Sequence, residues 1–211
     1  MLHVAGHLRC RNLTEEGLCK GLDKAATVKS LRASTGTRGE QDFTADMATR
    51  QADMMNATGV LEARAIDCTF SKTDYIDFKP HLVIAHHIHR DGKNRAMFAV
   101  PDFARSYHSA RANGESVRLM ARIVGGYTKM TGIPVMQDLA TLRMRQLYTW
   151  CFIDKDSQAI IPEYGNANID TKILFGNANL LARFITDCVL EHFDLRIARS
   201  PRPRASRRSR P

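Results

Sequence analysis

Residues 81–100, HLVIAHHIHRDGKNRAMFAV, decide how the chain is read. Two apolar runs, 81–89 and 95–100, flank Asp91-Gly92 and are rich in the residue types that favour extended backbone. Gly92 accepts a positive φ without steric cost, so the pair is predicted to fold as an antiparallel hairpin over about 81–100. Side chains alternate along a strand. His81, His87 and His89 therefore share a face with Val83 and Ala85, while His86 lies opposite among Leu82, Ile84 and Ile88.

Upstream, residues 65–71 (AIDCTFS) read as a further strand, and 42–63 as helix-rich with Phe43, Met47, Met54, Val60 and Leu61 in the core and Gly59 near its end. Asn12 followed by Glu15 and Glu16 is a helix-start pattern. Residues 18–31 (LCKGLDKAATVKSL) resemble a helix-turn-helix in spacing, but an ordinary amphipathic helix is the favoured reading, and 32–40 reads as a linker. Downstream, helices are predicted over 103–112, ended by Asn113-Gly114, and over 115–129. Another covers 135–152, with Leu139, Leu142, Leu147 and Trp150 buried. A short strand at 158–161 precedes a last helix capped by Asn177 or Asn179 and ending near Phe193. The expected fold class is α+β: a mostly helical body with a small antiparallel sheet and a disordered basic C-terminal tail. The expected organisation is an N-terminal helix and linker at 1–41, a globular domain at 42–195 and the tail at 196–211.

The hydrophobic fraction of 44% is ample for a core. No continuous apolar run reaches the roughly 18–20 residues of a membrane span, and the start, MLHVAGHLRCRNL, lacks the apolar core of a secretory signal. The five cysteines are widely spaced without CxxC, which suits reduced thiols. A cytoplasmic or nuclear/nucleoid location follows, with no membrane partner expected and self-association left open.

Charge is lopsided. The net charge is +9, and residues 196–211 (RIARSPRPRASRRSRP) contain seven arginines and no acid, leaving +2 for the rest. Such a segment cannot bury enough surface to order itself. Arg196, Arg199, Arg202, Arg204, Arg207, Arg208 and Arg210 suit phosphate contacts, since guanidinium offers a planar fork of donors and keeps its charge. Arg90, Lys93 and Arg95 gather at the hairpin tip and could join them. Arg111, Arg118 and Arg122 suggest a basic helix face, although a solvated face is the commoner reading.

His87-Ile88-His89 places two imidazoles about 7 Å apart at their Cα atoms, close enough to share a divalent metal. This triplet resembles that of the HUH endonucleases. The resemblance implies that His87 and His89 bind a metal that polarises a DNA phosphate and that Tyr127, near Lys129, is the nucleophile. Residues 87–95 (HIHRDGKNR) also resemble the Fic loop, with Ile88-His89 in place of its Pro-Phe and Lys93-Asn94 in place of its Asn-Gly.

Three functions follow. The leading one is a non-enzymatic nucleic-acid-binding protein, with DNA or RNA as partner, no cofactor, and a tail that resembles in composition the basic termini of some viral capsid proteins. The second is a metal-dependent DNA-nicking enzyme built on His87 and His89. The third is an effector whose tail resembles the arginine-rich export signals of type IV secretion effectors, or a nuclear localisation signal.

Overall fold

The continuous apolar run Leu82–Ala85 is buried at every position, as expected of an interior strand covered on both faces rather than one arm of a surface hairpin. The computed structural model describes residues 2–7, 38–66, 78–89, 95–101, 109–136, 143–144, 155–166 and 170–196. Among these residues seven strands form the sheet: β1 (Leu2–His7), β2 (Leu61–Ile66), β3 (Leu82–Ala85), β4 (His87–His89), β5 (Met97–Pro101), β6 (Arg143–Met144) and β7 (Gln158–Asn166). Their order is β2-β1-β3-β7-β5-β6, with β4 also beside β7. Every pairing is parallel except β5 with β7.

This corrects the expected α+β class: the chain is α/β, with a mainly parallel, Rossmann-type sheet. The 81–100 hairpin does not form. β7 lies between β3 and β5, taking β3 and β4 in parallel on one side and β5 antiparallel on the other. The Asp91-Gly92 turn that suggested the hairpin lies outside the described residues. β1, assigned by sequence to a separate N-terminal segment, is instead an interior strand between β2 and β3.

Among the described residues, three helices pack on the sheet: α1 (Arg38–Ala57), α2 (Ala110–Thr131) and α3 (Thr171–His192). In α1, Phe43, Met47, Gln51 and Met55 recur every fourth residue and are all buried, which gives one core-facing stripe, apolar but for Gln51. The helix stops at Gly59, whose φ of 71° suits glycine, and Asn56 then makes two bonds to the backbone of Ala63 (3.0 and 2.7 Å), covering the edge strand β2. The predicted linker over 32–40 is corrected in part, since Arg38–Ala57 begins inside it. α2 starts at Ser109, whose hydroxyl accepts from Ala112 N, and runs through Asn113-Gly114, where a break was expected. Asn113 is buried there rather than exposed in a loop.

α3 meets the length and composition of a membrane span over Lys172–His192. It spends that apolar character inside the fold, burying Leu174, Ala178, Leu181, Ile185 and Val189 among residues of α1 and α2. It begins at Thr171, ahead of the expected caps Asn177 and Asn179; Asp170 is the N-cap residue but makes no side-chain cap bond, its carboxylate accepting instead from Asn166 N. Cys188 is buried in this helix, and burial pushes its thiol up to about 11. The predicted N-terminal helices and most of the 135–152 segment lie outside the described residues. Arg143–Met144 within that segment is a strand paired with β5.

Candidate active site

The carboxyl ends of β1, β4 and β7 bring His7, His87 and Glu163 to one edge, which is where open parallel sheets bind ligands. Ile84 pairs with Ile160 and His87 with Glu163 at one constant offset, so β3 and β4 are one extended run beside β7. Pro162 stands opposite His86 in that register, and having no N–H it leaves the ladder interrupted between the two strands. Paired residues of parallel strands share a face, which puts His87 and Glu163 side by side. His7 pairs with Ala85, two residues before His87 and on the same face, so the Cα atoms of His7 and His87 are about 8 Å apart. The register then shifts, and His89 falls opposite Asn166.

A fourth residue joins them through the β1–α1–β2 connection. β1 and β2 are parallel neighbours, so α1 runs back across the sheet and its first turn returns to the end of β1 that carries His7. Glu40 lies in that turn, three residues before Phe43, whose ring meets Tyr164 edge-on at 5.6 Å. The backbone thus places His7, Glu40, His87 and Glu163 around one edge. Among the described side chains, no three His, Cys, Asp or Glu groups converge as a metal cluster. Those of His7 and Glu40 are outside that description, and these two residues are placed by backbone alone.

The segment after Glu163 is fixed by one acid. Asp170 is buried and its Oδ2 accepts from Asn166 N at 2.8 Å. Gly165 has φ 146°, and a Cβ there would lie 2.7 Å from the same Oδ2, so only glycine fits. On the reverse face of the sheet, His86 Nδ1 and the Tyr164 hydroxyl share a 2.7 Å hydrogen bond, and Tyr127 donates its hydroxyl proton to the Tyr164 carbonyl. Burial raises the pKa of both tyrosines.

Of the residues singled out by sequence, His87 is at this edge and His89 opposite Asn166. Tyr127 is fully buried in the core, away from the position of a nucleophile. Arg95 is half-buried. Arg90, Lys93, Arg199, Arg202, Arg204, Arg207, Arg208 and Arg210 lie outside the described residues, and Arg196 is exposed at their end. On α2, Arg118 is bound to Glu115, and Arg122 Nη1 lies 2.7 Å from Glu191 Oε2, so two of the three suggested basic-face residues are matched by acids. Sequence reasoning passed over His7, Glu40 and Glu163. Only the alternation in LHVAGH and the apolar AII before Pro162-Glu163 pointed towards their strands.

No protein-family model matches the sequence. No curated protein matches it either. Solved structures do match. The catalytic domain of CwlV, an N-acetylmuramoyl-L-alanine amidase from Bacillus (Paenibacillus) polymyxa var. colistinus, superposes with a TM-score of 0.60 at 15% identity, covering 93% of this chain and 100% of that one. The N-acetylmuramoyl-L-alanine amidase AmiC2 of Nostoc punctiforme gives 0.59 at 14% identity, with 92% and 97% covered. The catalytic domain of the CD27L endolysin, which targets Clostridia difficile, gives 0.54 at 14%, with 90% and 98% covered. At these identities the likeness is one of fold: this chain has the fold of amidase catalytic domains.

That finding corrects the functional expectation. A non-enzymatic, nucleic-acid-binding body with DNA or RNA as partner does not stand, and neither does a DNA-nicking enzyme or an effector defined by its tail. The match to N-acetylmuramoyl-L-alanine amidase domains covers 93% and 92% of the chain.

Proposed function

We propose that the chain is a metal-dependent amide hydrolase acting on peptidoglycan, of the N-acetylmuramoyl-L-alanine amidase type. The observation that carries this reading is the register of His87 against Glu163, with His7 on the neighbouring strand, at the carboxyl edge of an amidase-type sheet. Two imidazoles and a carboxylate are the donor set suited to zinc at a catalytic site, with a second carboxylate left for proton transfer. His7, His87 and Glu40 would hold the ion, leaving Glu163 as the acid–base.

A divalent cation held there supplies Lewis acidity towards the scissile carbonyl. The protein's own part is proton movement and positioning. Glu163 is 7% exposed and sits beside His87, so its carboxylate can take a proton from the attacking water and pass it to the departing amide nitrogen. Asp170 fixes the backbone of Asn166 just beyond it, and the Tyr127 bond fixes the carbonyl of Tyr164. Both bonds hold the Glu163 backbone still while the proton moves.

The test is digestion of purified peptidoglycan, with new amino termini labelled and identified. The proposal expects L-alanine as the new N-terminus, loss of activity with a chelator and recovery with zinc. Release of reducing sugars alone, or activity indifferent to chelation, would refute it.

A further inference from the structure

The interrupted ladder at Pro162 raises a question of register. Pro162, opposite His86, has no N–H to give the ladder between β3 and β4, and beyond His87 the alignment shifts by a residue. The His87–Glu163 pair therefore lies between two weak points. A slip of one residue turns each side chain to the opposite face, which here would carry Glu163 into the core and bring Tyr164 to the site.

The reverse face supplies what the backbone lacks. His86 and Tyr164 are each wholly buried, share a 2.7 Å hydrogen bond, and stack with ring centroids 5.7 Å apart and planes 19° apart. Phe98 closes on Tyr164 edge-on at 6.2 Å, and the Tyr127 hydroxyl donates to the Tyr164 carbonyl. This contact belongs to one register only, because a slip removes Tyr164 from the face that His86 occupies.

We infer that His86 and Tyr164 are positioning residues: their cross-strand bond stands in for the ladder bond missing at Pro162 and holds His87 beside Glu163. The inference deepens the proposed function and rests on it for its catalytic consequence, but the register it describes can be measured without metal or substrate.

The experiment compares the parent protein with Tyr164→Phe, His86→Leu and His86→Asn, the last keeping a hydrogen-bonding group at the position of Nδ1. Amide hydrogen exchange is followed at 87–89 and 163–166, with 82–85 as internal reference. Tyr164→Phe and His86→Leu should speed exchange at the first two segments about tenfold or more and leave the third unchanged; His86→Asn should restore much of the protection. With peptidoglycan as substrate, Tyr164→Phe should lower kcat about 10- to 100-fold, the usual span for outer-shell partners, with KM little changed. Parent-like exchange and kcat in Tyr164→Phe would overturn the inference, as would equal exchange in His86→Leu and His86→Asn. A parent without hydrolytic activity would sink the proposed function, and the exchange data would still decide the register lock. Should His86→Leu fail to fold, Tyr164→Phe, which removes one oxygen, carries the test.

Discussion

Replacing Gly165 by alanine strikes the segment that follows Glu163, and its cost can be worked from two local facts. The backbone there has φ 146°, a conformation that costs a residue with a Cβ about 1–3 kcal/mol. The new methyl would also lie 2.7 Å from Asp170 Oδ2 and 3.2 Å from both Cβ and Cγ of that side chain. The carboxylate cannot withdraw without loosening its 2.8 Å bond from Asn166 N, and hydrogen bonds to charged groups contribute about 1.5–3 kcal/mol. Together the loss should be about 2.5–6 kcal/mol. Asp170→Ala removes the same bond by another route, so the double variant should lose less than the two single losses combined. Urea unfolding of parent, both single variants and the double variant gives the cycle. A Gly165→Ala protein within about 0.5 kcal/mol of the parent, or strictly additive losses, would refute the reasoning.

Other expectations follow from the same packing. Tyr127→Phe leaves the buried Tyr164 carbonyl without its donor and should cost about 1–3 kcal/mol in urea unfolding. Gly125→Ala, with nothing within 4 Å of the added Cβ, should stabilise α2 by up to about 1 kcal/mol in thermal melts. In contrast, Gly126→Ala drives its methyl to 2.5 Å from Phe184 Cζ and should stabilise less or destabilise. His192 bonds Gln158 Oε1 at 2.9 Å, and its pKa lies below the ordinary 6.5 because burial, reinforced by Arg122 and Arg118, outweighs the opposing pull of Glu115. Since the folded pKa is the lower one, its contribution is present above about pH 6.5 and lost as pH falls through the folded value. His192→Gln should flatten that acid-side loss in melts between pH 7 and pH 5.

The sequence made part of this fold legible. Residues 81–89 read as a strand because apolar side chains dominate them, and the alternation correctly set His86 against the Leu82 and Ile84 face. Their partner was hidden. The run QAIIPEYGN contains a proline and a glutamate that break any simple period, so only its first four positions looked extended, yet it lies between the two strands that were read as a hairpin. Parallel pairing between segments so distant in the chain leaves no local turn signal, whereas Asp-Gly leaves a strong and misleading one. His87 was visible as half of a His-x-His triplet. Its neighbour in space is Glu163, and a single strand's spacing carries no information about a cross-strand contact. The arginine tail drew attention because charge is readable without a fold. A buried carboxylate at a strand end is readable only with one.

Zinc affinity, measured by competition with a chromophoric chelator, tests the centre itself. The account predicts one zinc per chain in the parent, strong loss of affinity in His7→Ala and His87→Ala, and retained zinc with no amide hydrolysis in Glu163→Gln. A His87→Ala protein that binds zinc and cleaves peptidoglycan as the parent does would contradict it.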